Sequence, residues 1–169
     1  MRHEHIIKGD NILLRPLNEN DLETLMNWRN KDKIREWFLN NRVITKEEQI
    51  VWFERYISNN DDMMFIIEDT TLNLPIGVVA LYNIDNTRNI AEFGRLMIGE
   101  EIARGKSIGY KASKLICHFA FSTLNMNEVY LSVLANNTPA INIYEKVGFK
   151  GTCNYIINDK DLIMMNIVR

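Results

Sequence analysis

The order of hydrophobic patterns between residues 63 and 134 constrains the fold most strongly. Three strand-like runs, at residues 63–67, 76–82 and 90–98, precede an amphipathic helical pattern over 107–121 and another strand at 129–134. Turn-rich segments separate the first three runs, which is typical of an antiparallel meander. This order predicts one continuous mixed sheet with helices on its faces.

Three helical segments are predicted before this region. A strand at 11–15 ends at Pro16, and Asn18 offers an N-cap for a helix that ends near Asn30. A second helical stretch contains Ile34, Trp37 and Phe38. Thr45, with a glutamate three residues later, forms a capping box that opens a third.

The C-terminal part predicts a short helix and a hairpin. The helix spans 140–147 and closes at Gly148, and the strands 151–157 and 162–168 turn about Asn158 and Asp159. The prediction is an α+β fold (α/β by some schemes) with a mixed, largely antiparallel seven-stranded sheet flanked by helices. Its element order is β-α-α-β-β-β-α-β-α-β-β.

Composition excludes several classes of protein. The 169 residues carry a net charge of -2 and 46% hydrophobic residues, which predicts one globular domain over residues 1–169. No apolar run approaches the roughly 18 residues that a membrane span needs, and the start lacks a signal peptide, so we expect a cytoplasmic protein with no membrane partner. A pI near 5.9 without a block of basic residues predicts no nucleic-acid partner. The sequence leaves a homodimer open.

Neither the cysteines nor the histidines predict a metal site. Cys117 and Cys153 lie far apart and form no CxxC pair, so reduced and packed thiols are expected. His3 and His5 lack further ligands close by in the sequence, and His118 adjoins the core face of its helix. We therefore expect no metal.

The loop before the helix at 107 predicts an anion site. Residues 91–109 read as a strand, a loop of small residues and a helix start, so several backbone N–H groups and the helix dipole point at one place. A nucleoside-triphosphatase loop is excluded, because five residues separate Gly99 from Gly105 where that motif has four. The following strand also lacks an aspartate for magnesium.

Two motifs resemble the GNAT superfamily of acetyl-CoA-dependent N-acetyltransferases. The family's pyrophosphate loop, [RQ]-x-x-G-x-[GA], is matched by residues 104–109 except that Ser107 stands where glycine is usual. A second signature, N-x-x-A-x-x-x-Y-x-K-x-G-F, is met in full by Asn137, Ala140, Tyr144, Lys146, Gly148 and Phe149. The resemblance covers nearly the whole chain and implies that acetyl-CoA is the co-substrate.

The resemblance also implies a coenzyme site and two catalytic groups. Acetyl-CoA would lie where the fourth and fifth strands separate, with a bulge in the fourth strand facing the thioester. The implied coenzyme contacts are Leu96, Met97, Ile98, Arg104, Gly105, Lys106, Ser107, Ile108, Gly109, Asn137, Ala140 and Tyr144. Tyr144 is the expected general acid at the coenzyme sulfur, and Glu92 is the expected base, directly or through a water.

The acceptor is predicted to be a small-molecule amine, and its class stays open. Trp28, Arg29, Trp37 and Arg95 are the candidate acceptor ligands, because a nucleotide-linked amino sugar offers a base for stacking and a diphosphate for arginine. This early segment resembles the GNAT branch that acetylates such sugars in the pseudaminic acid pathway. The alternatives are a protein N-terminal or a polyamine acetyltransferase and, more remotely, a non-catalytic acyl-CoA-binding domain.

Overall fold

The computed structural model describes residues 3–103 and 105–169, which form eight strands and five α-helices. The strands are β1 Ile7–Lys8, β2 Ile12–Pro16, β3 Met63–Asp69, β4 Leu74–Asp85, β5 Ile90–Ile98, β6 Glu128–Leu134, β7 Lys150–Ile157 and β8 Lys160–Val168. The helices are α1 Leu22–Asn30, α2 Asp32–Arg35, α3 Lys46–Ser58, α4 Ile108–Ser122 and α5 Thr138–Val147.

All eight strands belong to one sheet of order β1-β2-β3-β4-β5-β6-β8-β7. Every neighbouring pair is antiparallel except β5 and β6, which are parallel and are connected through α4. That parallel pair is short, because it joins only Ile90, Ala91 and Glu92 to residues 128–130. Beyond Glu92 the two strands separate and leave a cleft in the middle of the sheet.

The sheet carries a hydrophobic core on each face. One core packs α4 and α5 against side chains such as Phe65, Phe93 and Val129. The other packs α1 and α3 against side chains such as Ile66, Val78 and Met97. Because both faces are covered, the central strands are buried on both sides, which explains their nearly continuous apolar sequences.

The prediction of a mixed, largely antiparallel sheet with flanking helices is confirmed, but the strand count of seven is wrong. The additional strand is β1, whose two residues are too few to give a periodic pattern and which is held by pairing with β2. Three α-helices lie between β2 and β3, in agreement with the three predicted helical segments, although the condensed element order has only two there. The second of these is also shorter than predicted, since α2 ends at Arg35 and Trp37 and Phe38 lie in an irregular segment.

The predicted caps are present. Asn18 and Thr45 both form capping boxes, with Asp21 and Glu48 respectively. Gly148 ends α5 with φ = 116°, a left-handed conformation that favours glycine. Among the described residues, no helix has both the length and the apolar character to cross a membrane.

Trp28 anchors α1 to the end of β5. Its ring is buried and lies so close to Gly99 that a Cβ there would come within 2.2 Å of the indole. The indole Nε1 donates to Glu100 at 2.6 Å, and the Lys31 ammonium donates to the Gly99 carbonyl at 2.7 Å. These contacts fix the first residues of the loop that leads to α4.

We expect Gly99→Ala to lower the free energy of unfolding by about 1–3 kcal/mol, because the added methyl group would overlap a buried ring that has no room to move. Urea denaturation measures this change. Gly151→Ala is the matched control, since the nearest atom to its Cβ would be 3.7 Å away. Equal stability of the two variants would contradict the proposed packing of Trp28 on Gly99.

Candidate active site

A cavity of about 1250 Å³ occupies the cleft between β5 and β6. Its walls include residues 92–98 of β5 and 131–134 of β6, and beyond Glu92 these two strands no longer pair with each other. The start of α4 and one face of α5 close one side, and residues 37–40 close another. The gap in the sheet therefore becomes the binding site.

A bulge in β5 sets the geometry of this wall. Val78 and Ala80 of β4, two residues apart, pair with Met97 and Gly94 of β5, three residues apart. The extra residue is accommodated at Arg95, whose φ of 52° is left-handed. Phe93 consequently packs in one core and Met97 in the other, although simple alternation would place them on the same face.

The loop before α4 presents backbone donors to the cavity. Gly105 and Ser107 both have positive φ, 75° and 57°, and α4 begins at Ile108. The N–H groups of a first helical turn have no partner within their own helix, and the helix dipole adds partial positive charge there. Since Ser107, Ile108 and Gly109 line the cavity, these donors suit a pyrophosphate.

Tyr144 is held at the C-terminal end of α5 with its side chain lining the cavity. Its ring packs edge-on against the rings of Phe93 and Phe149, with distances between ring centroids of 5.5 and 6.0 Å. Its carbonyl accepts from the N–H groups of Gly148 and Phe149, so the helix end fixes its position. Burial raises the pKa of the Tyr144 phenol, which is therefore protonated at neutral pH.

Glu92 lies on the cavity wall with both carboxylate oxygens hydrogen-bonded. The Tyr82 hydroxyl donates to Oε1 at 2.9 Å, and Asn83 Nδ2 donates to Oε2 at 2.8 Å. Gly94 provides the space for this contact, because a Cβ there would lie 2.7 Å from the Tyr82 oxygen. Burial and the neighbouring Glu92 raise the pKa of Tyr82, so this phenol stays a donor.

Arg95 completes this corner of the site. Its guanidinium lies over the Tyr82 ring, 4.4 Å from the centroid, and its Nη1 donates to Asp62 Oδ1 at 2.7 Å. Burial raises the pKa of Asp62, and Arg95 opposes that rise. The cation is thus already paired, and it packs on the face of the ring whose hydroxyl donates to Glu92.

Residues from the first 40 positions of the sequence form a further wall of the cavity, which carries aromatic and basic side chains. Arg29 stacks on the Phe38 ring at 3.8 Å, and Trp37 and Lys33 also line the cavity. Burial, followed by the like charges of Arg35 and Arg42, lowers the pKa of Arg29. Glu92 is the only carboxylate among the cavity-lining residues in the described part of the chain.

The structure brings most of the sequence-predicted site residues together. The following line the cavity: Glu92, Leu96, Met97, Ile98, Gly105, Ser107, Ile108, Gly109, Asn137, Ala140, Tyr144, Arg29, Trp37 and Arg95. Arg104 lies outside the described residues. Lys106 is exposed and is absent from the lining, so its predicted coenzyme contact has no support from the cavity.

The prediction that Trp28 contacts the acceptor is wrong. Its ring is 2% exposed and packs on Gly99 inside the core. An aromatic residue on an amphipathic helix faces the core more often than a ligand, and the sequence alone did not show which of the early tryptophans does so.

Sequence reasoning missed Tyr82, Asn83 and Asp62. Tyr82 pairs directly with Glu92 across β4 and β5, so its side chain lies on the same face of the sheet. Predicting the register of the β4–β5 hairpin would have placed Tyr82 opposite Glu92. No group of three or more His, Cys, Asp or Glu side chains that could hold a metal occurs within residues 3–103 and 105–169.

Comparisons with known proteins agree on one family. The sequence profile described as "Acetyltransferase (GNAT) domain" matches residues 11–150. The chain is 28% identical over 138 residues to the spermidine N(1)-acetyltransferase of Vibrio cholerae, covering 82% of this chain and 78% of that protein. The Escherichia coli K12 enzyme of the same name is also 28% identical, covering 82% and 72%.

Solved structures give the same result. The crystal structure of spermidine N-acetyltransferase from Vibrio cholerae in complex with CoA and spermine superposes with a TM-score of 0.84. The two chains are 25% identical, and the match covers 95% of this chain and 96% of the other.

We expect Ser107→Val to weaken acetyl-CoA binding and to lower the free energy of unfolding by about 1–2 kcal/mol. Ser107 has left-handed backbone angles, which a β-branched residue adopts at high cost. Calorimetry with acetyl-CoA and urea denaturation measure the two effects. Ser107→Gly is the matched control and is expected to bind at least as well as the parent chain. Unchanged binding and stability in Ser107→Val would show that the loop does not need this conformation.

Proposed function

Because residues 11–150 match the GNAT domain, the chain belongs to the GNAT acetyltransferase family, and we propose that it acetylates a terminal amine of a small aliphatic polyamine. Acetyl-CoA-dependent N-acetyl transfer is the activity of this enzyme, whereas the polyamine is our proposal for its acceptor. Its support is the agreement of both comparisons on relatives named for spermidine, at 82% and 95% coverage of this chain.

The Glu92 carboxylate on the cavity wall is the observation that carries the proposal. A protonated amine is attracted to a carboxylate, and Tyr82 and Asn83 orient Glu92 by donating to both of its oxygens. Each oxygen keeps a further acceptor direction for the amine or for a bridging water. Glu92 thus serves both to bind the acceptor and to deprotonate it.

The proposed reaction is a direct transfer. The neutral amine attacks the thioester carbon, so a C–N bond forms and negative charge develops on the carbonyl oxygen, which backbone donors beside the β5 bulge stabilise. Before the attack Glu92 takes the ammonium proton and releases it to solvent, so after the attack it accepts the excess proton of the tetrahedral intermediate, directly or through a water. The tetrahedral intermediate then collapses, the C–S bond breaks and the coenzyme thiolate leaves.

Tyr144 stabilises the leaving thiolate in this scheme. Its phenol is buried at the cavity wall, and its raised pKa makes the neutral donor form the stable one. Hydrogen-bond donation to the sulfur is therefore favoured over the formation of a buried phenolate. This refines the sequence prediction of a general acid.

A nucleotide-linked amino sugar is the second candidate acceptor. The observation that favours it is the wall of Arg29, Lys33, Trp37 and Phe38, which combines positive charge with flat rings. None of the relatives reported above is named for a sugar, so the comparisons favour the polyamine over the preference drawn from the sequence.

An amine panel scored by thiol release tests the acceptor. We expect the highest kcat/KM with spermidine or spermine and lower values with nucleotide amino sugars and with peptides that have a free N-terminus. Acetyl-CoA hydrolysis without amine is the background control. Preferred turnover of an amino sugar would replace the polyamine by the second candidate, and turnover of peptides alone would exclude both.

We expect Tyr144→Phe to lower kcat by about tenfold to a thousandfold while the Kd for acetyl-CoA changes little. Since the raised pKa keeps the phenol protonated, the ratio of parent to variant kcat should stay constant from pH 6 to 9. Tyr155→Phe is the matched control, because Tyr155 itself does not line the cavity, although its hydroxyl donates to Ser132 on the β6 wall. A variant with parental kcat would remove Tyr144 from the mechanism.

A further inference from the structure

The acceptor wall is a segment without regular secondary structure. Residues 36–40, which we call the strap, follow α2, and Trp37, Phe38, Leu39 and Asn40 line the cavity. The amides of Trp37 and Phe38 bond back to the carbonyls of Ile34 and Arg35 at 3.2 and 3.1 Å. The later carbonyls of the strap have no such local partner in the described part of the chain and depend on side chains from elsewhere.

Two cationic side chains, from different elements of the fold, donate hydrogen bonds to these carbonyls. Arg29 Nη2 of α1 donates to the Asn40 carbonyl. Lys160 Nζ donates to the carbonyls of Phe38 at 3.0 Å and Leu39 at 3.1 Å. Three consecutive carbonyls of the strap are thus held by charged donors, whose hydrogen bonds are stronger than those of neutral donors.

Lys160 is placed by the hairpin between β7 and β8. Asn158 and Asp159 have φ of 49° and 58°, the two left-handed residues of a type I′ turn, and Lys160 begins β8 directly after them. Further along β8, Leu162 lines the same cavity. A rigid hairpin therefore carries the ammonium to a segment that is 122 residues away in the sequence.

Arg29 alone holds the strap poorly. Its Nη1 is buried without a hydrogen-bond partner, and its charge is opposed by Arg35 and Arg42 nearby. A buried donor without a partner costs free energy. Arg29 would recover that free energy if its Nη1 moved out to water. The two bonds from Lys160 offset that cost and stabilise the strap against the cavity.

We infer that Lys160 is a positioning residue that fixes the acceptor wall and so sets acceptor affinity. The inference rests on the proposed function, since it assigns the strap side of the cavity to the acceptor. Lys160 is not a cavity-lining residue, so it acts only through the carbonyls that it holds. The coenzyme motifs on α4 and α5 contain none of these contacts, and the acetyl-CoA site is therefore independent of Lys160.

Steady-state kinetics of Lys160→Met test the inference. The expected result is a rise in acceptor KM of about tenfold, from the loss of two charge-assisted hydrogen bonds, with kcat and acetyl-CoA KM within twofold of the parent values. Lys160→Arg should restore most of the affinity, because a guanidinium also reaches two carbonyls. Lys150→Met, at the exposed start of the same hairpin, is the matched control. An equal rise in the acetyl-CoA KM, or no rise in the acceptor KM, would overturn the inference.

Amide hydrogen exchange provides a readout that needs no acceptor. We expect exchange at residues 37–41 to be faster in Lys160→Met than in the parent chain and in Lys150→Met, with exchange in α4 unchanged. Equal exchange in all three chains overturns the inference even if an acceptor is known. Failure of every amine in the panel would instead contradict the proposed function, and the exchange result would still decide whether Lys160 holds the strap.

Discussion

The early end of the β5–β6 ladder is the constraint on which the site depends. Only three residue pairs join these strands. The later N–H and C=O groups of β5 that point towards β6 therefore have no partner on that strand. In the middle of a sheet such groups would normally be costly to leave unpaired. Here they face a cavity of about 1250 Å³, so the break in the ladder forms part of its wall.

Arg95 and Glu92, two charged residues of the site, are held in different ways. Arg95 is neutralised by Asp62, and it touches the site through Tyr82, whose hydroxyl it helps to aim at Glu92. Glu92 is held by two neutral donors, Tyr82 and Asn83, and not by a cation. The acceptor contact predicted for Arg95 stays a prediction, since the residue lines the cavity and its guanidinium is already paired with Asp62.

Motifs that depend on a few adjacent residues could be predicted from the sequence. The caps of Asn18 and Thr45, the glycine that ends α5 and the coenzyme loop are all local, so residue type decides them. The face that Trp28 presents, the pairing of Tyr82 with Glu92 and the reach of Lys160 to Phe38 depend on contacts between residues far apart in the sequence. Hydrophobic periodicity gives no information about those contacts. Strand β1 has only two residues, which are too few to show a periodic pattern.

The bulge at Arg95 shifts the side-chain alternation of β5 by one residue, so the number of residues in this strand determines the geometry of the cleft wall. Before the bulge Ala91 and Phe93 face α4 and α5, and after it Leu96 and Ile98 take over that face while Met97 turns to the opposite core. Deleting Arg95 would place Leu96 two positions after Phe93, so regular alternation would keep both side chains on the same face, but the bulge that shapes the wall of the cleft would be lost. A β5 shortened by this residue would pair regularly with β4 and would lose the left-handed position that shapes the wall of the cleft.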